Sequence, residues 1–147
     1  MTSILGKCKI IIRQLPKKEM IETSGLKKLP DTEFEIMKVV WANKPPITTN
    51  MIMEQLGNRR EWKAPTVISL MLRLVEKGFL KTEKKGKERT YYQLVAKEDY
   101  LKFETGNFMK LYHENSFLSF VNTLYDGKQL SDSDIEELMK WVNERRE

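Results

Sequence analysis

The sequence predicts a mainly α fold in which three helices are closed by a β-hairpin and followed by three more helices. Three observations predict it. Apolar residues recur at three- and four-residue spacing in Phe34, Met37, Val40 and Trp41, and again from Pro65 to Lys77. FLKTEKKGKERTYYQL then reads as two strands, Phe79–Glu83 and Arg89–Leu94, about the basic turn Lys84–Lys85–Gly86–Lys87. After Lys97 the helical period returns. Helix, helix, helix, hairpin is the order of a winged helix-turn-helix.

Each element has its own punctuation. Asp31 or Thr32 can cap the first helix, and Pro45–Pro46 stops it. Thr48 or Thr49 can cap a short second helix holding Ile52, Met53 and Leu56, which Gly57 closes. The turn Asn58–Arg59–Arg60–Glu61 leads through Trp62 to the third helix, where Pro65 fits the first turn because its missing N–H has no partner there. Gly78 ends that helix. Tyr92 and Leu94 share one face of the second strand, and Tyr91 the other. Tyr100, Phe103, Phe108, Leu111 and Tyr112 mark a fourth helix, and Phe117, Leu118, Val121 and Leu124 a fifth. Ser131 and Asp134 form a capping box for the last, which offers Ile135, Leu138, Met139 and Val142.

The 147 residues suit one ordinary domain, or a small domain with an accessory one. The expected division is a basic extension over 1–28, disordered or non-native, a winged-helix domain over 29–97 and a helical dimerisation region over 98–147. Met20 offers a second start, in which case the first nineteen residues lie outside the natural protein. Two readings of the extension stand, a basic arm that touches nucleic acid and a mobile tail. No apolar run approaches the roughly 20 residues a membrane-spanning helix requires. Cys8 and His113 stand alone as cysteine and histidine, which excludes disulfide frameworks and thiolate-rich zinc sites in one chain and fits a reducing cytoplasm.

Charge is unevenly placed. Residues 1–30 hold seven basic against two acidic residues, and residues 99–147 six against ten. Between them, residues 59–97 carry eleven basic and four acidic side chains, a balance of +7. A basic block beside an acidic one points to a polyanion meeting one part of the chain, although a solvated surface has the same composition.

Catalysis has no footing in the sequence: there is no nucleophile elbow, phosphate-cradling glycine loop or metal cluster, and no cofactor is expected. His113 reads as a helix-surface or interface residue. DNA binding has a physical case. Beside the apolar positions of the third helix runs the stripe Thr66–Ser69–Arg73–Lys77. Small polar residues near its N-terminus let the backbone enter a major groove. Thr66, Val67 and Ser69 are expected to face base edges, with Arg73 on a base or phosphate or paired with Glu76 or Glu35. Thr49, Arg60, Lys63, Lys84, Lys85, Lys87 and Arg89 are expected on the DNA backbone. The stripe alone is also what any amphipathic helix shows on its wet side; the basic hairpin beside it favours DNA.

From Leu29 to the end the chain resembles the penicillinase and methicillin-resistance repressors, the BlaI/MecI family. LPDTEFEIMKVVW is similar to the family's opening helix, and WKAPTVISLMLRLVEKG, TYYQL and LSDSDIEELMKWV to its later segments. The resemblance covers about four-fifths of the chain. It implies a homodimeric winged-helix repressor on a palindromic double-stranded DNA operator, dimerised through the C-terminal helices. Tyr100, Phe103, Leu111, Phe117, Leu118, Val121, Leu124, Ile135, Leu138 and Val142 are the expected contacts. It further implies inactivation by a membrane-bound sensor metalloprotease, with Asn107–Phe108 matching the family's Asn–Phe cleavage bond; the other reading of that bond is an ordinary irregular helix with Phe108 in a core. Gly106 beside it weakens the helix by up to about 1 kcal/mol. Lys63–Ala64–Pro65–Thr66 departs from the family, and Ile68 stands where it can carry a polar reader, which puts the operator sequence in doubt. The cysteine-free C-terminus disfavours the copper sensing of some relatives. Two alternatives are a ligand-sensing regulator of MarR or PadR type, with an apolar pocket near the Tyr100–Tyr112 helix, and a winged-helix module for protein partners.

Overall fold

The computed structural model describes residues 25–146, so the expected basic arm or tail lies, up to residue 24, outside the described residues. The elements are α1 (Asp31–Ala42), β1 (Ile47–Thr48), α2 (Thr49–Ile52) continued by a π-helical turn (Met53–Gly57), α3 (Ala64–Glu76), β2 (Leu80–Lys85), β3 (Glu88–Gln93), α4 (Lys97–His113), α5 (Phe117–Asp126) and α6 (Asp132–Arg145). The chain divides into two compact units between Phe103 and Glu104, inside α4. Among the described residues no helix is long and apolar enough to cross a membrane.

In the first unit Ile36, Met37 and Val40 of α1 share a core with Val67, Leu70, Met71 and Leu74 of α3. Neither Asp31 nor Thr32 caps α1. Pro30 holds the cap position without a side-chain bond, and Asp31 and Glu33 place negative charge in the first turn, where the helix dipole favours it. Thr48 does cap α2, its hydroxyl accepting from the Met51 N–H at 3.2 Å. At Gly57 a Cβ would stand 2.7 Å from Met53 Sδ, so a larger residue there would require the methionine side chain to shift. At the far end of α3, Gly78 takes a φ of +83°, open to glycine at little cost. Its N–H bonds Val75 O and the Phe79 N–H bonds Leu74 O, a Schellman stop with Leu74 and Phe79 both buried.

The sheet has the order β1-β3-β2, all antiparallel. β1 is the strand that periodicity could not announce: two residues, pairing Ile47 with Tyr91 and Thr48 with Thr90. The hairpin turn is tighter than the four residues expected, with Lys85 opposite Glu88 and Gly86 at a φ of +63°.

The opening turns of α4 belong to this same core. Tyr100, expected at a dimer interface, is fully buried inside the unit; its hydroxyl accepts from the Leu29 N–H at 2.8 Å. Its ring lies 5.5–6.0 Å from those of Phe34, Trp41, Phe79 and Phe103, and Trp41 Nε1 donates to Val95 O at 2.9 Å. Tyr100 therefore has no face left for a partner, and Phe103 is partly buried against the same cluster.

In the second unit Ser116 caps α5, and Ser131 with Asp134 closes a capping box on α6 through bonds of 3.1 and 2.9 Å. His113 is not a surface residue. It is buried between the rings of Phe108 and Phe120, and its Nδ1 lies 3.0 Å from Ser119 Oγ, linking α4 to α5.

Candidate nucleic-acid interface

α3 rotates about 100° per residue, so its buried line of Val67, Leu70, Met71 and Leu74 fixes which side chains point away. Val67, expected to read bases, is fully buried; it is a core residue and cannot reach a groove. The residue beside it, Ile68, is 40% exposed instead. Thr66, Ser69 and Arg73 are exposed, as a reading face requires. Lys77, last in the stripe, is tied down by Glu33 at 2.6 Å. Glu35 is taken by Arg60: Oε2 meets the guanidinium at 3.1 Å, off the hydrogen-bonding direction. Among the described residues Arg73 forms no ion pair with Glu35 or Glu76, which leaves its guanidinium open to solvent.

The approach to α3 is shaped by the basic turn. Glu61 takes a φ of +58°, and the Trp62 N–H bonds Gly57 O at 2.8 Å. Arg60 lies over the Trp62 ring at 5.3 Å. Lys63 occupies the cap position of α3 and is exposed. Both cations thus sit where the chain enters the helix.

On the hairpin, Lys84, Lys85, Lys87 and Arg89 are all exposed. Lys84, Lys87 and Arg89 line a cleft of about 320 Å³ together with Glu88, Tyr91, Ile68 and the residues Thr48, Thr49 and Asn50 at the start of α2. This is where the fold joins the third helix, the second helix and the wing. Burial pushes the Tyr91 phenol above its ordinary value, against the Arg89 charge and a hydrogen bond with Thr49, so the phenol is neutral at neutral pH and Glu88 is the one carboxylate among three cations in the lining. Thr49, expected on the DNA backbone, is half-buried beside this phenol. The cations and hydroxyls around the cleft are suited to phosphate oxygens.

Sequence reasoning placed the basic residues of this surface and singled out Ile68 as standing at a reader position, but missed Thr48, Asn50, Glu88 and Tyr91 as its lining. The alternation of Tyr91 and Tyr92 carried a signal for Tyr91, because one of the two had to face the core. Asn107 and Phe108 belong to the second unit, both exposed within α4; the Phe108 ring lies 5.0 Å from Tyr112 and 5.5 Å from His113. Leu111, Phe117 and Leu118 are exposed, at 73%, 57% and 68%, as is Val142, whereas Val121, Leu124, Ile135 and Leu138 are half-buried.

Comparison with known proteins gives a consistent set. The family model described as penicillinase repressor matches residues 29–144. The penicillinase repressor of Bacillus licheniformis is 30% identical over 124 residues, covering 82% of this chain and 96% of that protein. The methicillin resistance regulatory protein MecI of Mammaliicoccus sciuri is 32% identical over 119 residues, covering 80% and 95%. Among solved structures, the monomeric form of Bacillus licheniformis BlaI in complex with the blaP half-operator is 32% identical, covers 50% of this chain and 89% of that one, and superposes with a TM-score of 0.43.

Proposed function

The chain belongs to the penicillinase repressor family, and from that membership we propose that it is a DNA-binding transcriptional repressor that holds a palindromic operator as a homodimer. The observation that carries the reading is the cleft in which α3 meets the basic wing. α3 enters the major groove with Thr66, Ser69 and Arg73 toward base edges. Lys84, Lys85, Lys87 and Arg89 of the wing, with Thr49, Arg60 and Lys63, hold the phosphates, which fixes register but carries no sequence information. The test is anisotropy of the full chain on random duplex DNA as salt is raised from low concentration. Binding should weaken linearly in the logarithm of salt; a chain that ignores duplex DNA at low salt would be a protein-interaction module instead.

Dimerisation falls to the second unit, whose helices leave Leu111, Phe117, Leu118 and Val142 exposed. Apolar side chains in that number on short helices are covered by a second copy of the same faces. The remaining expectations form one mechanism. The repressor acts in the cytoplasm, has no membrane attachment of its own, and is inactivated when a membrane-bound sensor metalloprotease cuts Asn107–Phe108. A cut there parts the winged-helix unit from α5 and α6. Exposure of both residues and the helix-weakening Gly106 support access. Co-expression with such a protease, followed by mass analysis of the fragments, tests the step; an intact chain under induction removes it.

A further inference from the structure

Ile68 is an exposed apolar residue on α3, with Leu72 exposed one turn further along the same helix. It lines the cleft together with Thr48, Thr49 and Asn50 of the α2 start, Tyr91, and the wing residues Lys84, Lys87, Glu88 and Arg89. Its neighbour Val67 is wholly buried, whereas Ile68 is 40% exposed. We propose that Ile68 reads the C5-methyl group of a thymine in the major groove, making one position of each operator half-site prefer a T·A pair; this rests on the DNA-binding reading above.

The chemistry of the side chain selects that base. Ile68 has no donor or acceptor, so it cannot recognise a base edge by hydrogen bonding. Among the four bases only thymine carries a methyl group in the major groove. Against thymine, methyl meets methyl and both leave water. Against guanine, cytosine or adenine, the same side chain strips water from a ring nitrogen, carbonyl oxygen or amino group and supplies nothing in return. Discrimination therefore has an attractive and a repulsive part. Branching at Cβ leaves isoleucine one strongly preferred rotamer in a helix, so its methyl groups are presented with little ordering left to do. The surrounding cations position the duplex without choosing among bases, which leaves Ile68 free to choose.

The experiment begins by selecting an operator from randomised duplexes with the full chain. Thymines of the selected half-site are then replaced singly by uracil, which lacks only the methyl group, and binding is measured for the wild type and for Ile68→Ala. At one position uracil should weaken the wild type about 3- to 10-fold and Ile68→Ala less than about 2-fold, with equal salt dependence. Ile68→Gln should move the preference at that position toward adenine, whose N6 and N7 it can meet. The proposal is overturned if no uracil position weakens the wild type, a result that needs no variant to fold. It is overturned equally if Ile68→Ala responds to uracil as the wild type does. Absence of any salt-sensitive duplex binding would instead remove the DNA-binding reading, and this proposal with it.

Discussion

The Lys77 ammonium lies 2.6 Å from Glu33 Oε1, joining the end of α3 to the first turn of α1. Glu33 is 2% exposed, whereas a third of the Lys77 side chain reaches solvent. A carboxylate withdrawn from water this far needs a charged partner, and Lys77 supplies it from a helix C-terminus that also favours positive charge. The pair therefore fixes the end of α3 against α1.

Lys77→Met should destabilise the folded chain by about 1–3 kcal/mol, below the cost of breaking a fully buried pair because solvent screens the lysine. The double change Glu33→Leu with Lys77→Met should recover most of the loss, since it removes the stranded carboxylate. Urea midpoints at constant slope measure both. An unchanged midpoint for Lys77→Met alone would mean that water already satisfies Glu33.

Much of this architecture is legible in the residues, and its misreadings have definite physical causes. Gly78 and the Ser131–Asp134 pair announce helix ends because their chemistry is local. Val67 and Ile68 were harder. The apolar residues of α3 run nearly all round the helix, so the centre of its buried face is poorly fixed by pattern, and one residue of phase separates complete burial from 40% exposure. Tyr100 and His113 show a second limit. Periodicity says that a face of α4 is apolar, not what covers it: its first turns join the core of the first unit, while its last turns belong to the second unit, where His113 is buried.

The wing allows a test that separates phosphate contacts from base contacts. Lys85→Ala or Arg89→Ala should weaken binding to every sequence by the same factor and lower the salt slope by about 1 for each lost contact. Ser69→Ala and Thr66→Ala should instead alter the order of preferred sequences at nearly constant slope. Parallel salt titrations on selected and random duplexes measure this. If wing variants match the wild type at every salt concentration, the wing lies off the DNA.

Asp134 gives a prediction in pH. The Ser131 backbone N–H and then its hydroxyl hold the Asp134 carboxyl below its ordinary value of 3.8. Folding thus favours the ionised form. The contribution to α6 is complete above the ordinary aspartate value and is lost as pH falls through the lower folded value. A carbon-detected titration should give Asp134 a midpoint under 3.8, and Ser131→Ala should move it part of the way back, since the backbone donor remains. A midpoint at the ordinary value would show that the capping box is open in solution.

Assembly is tested most cleanly at Leu118, which is 68% exposed on α5. Because it fills no core within the chain, Leu118→Glu should leave thermal stability of the monomer almost unchanged, within about 0.5 kcal/mol as for other surface changes. The same change places a charge in any apolar interface that covers this face, where it loses water without gaining a partner. Sedimentation velocity should therefore find the wild type dimeric and the variant monomeric at equal micromolar concentration. DNA binding separates the two roles further. A single half-site should be bound equally by both proteins, because α3 and the wing are untouched. A complete palindrome should be bound more weakly by the variant, which has lost the second, linked half-site. A variant that remains dimeric, or that loses half-site binding as well, would place the interface elsewhere.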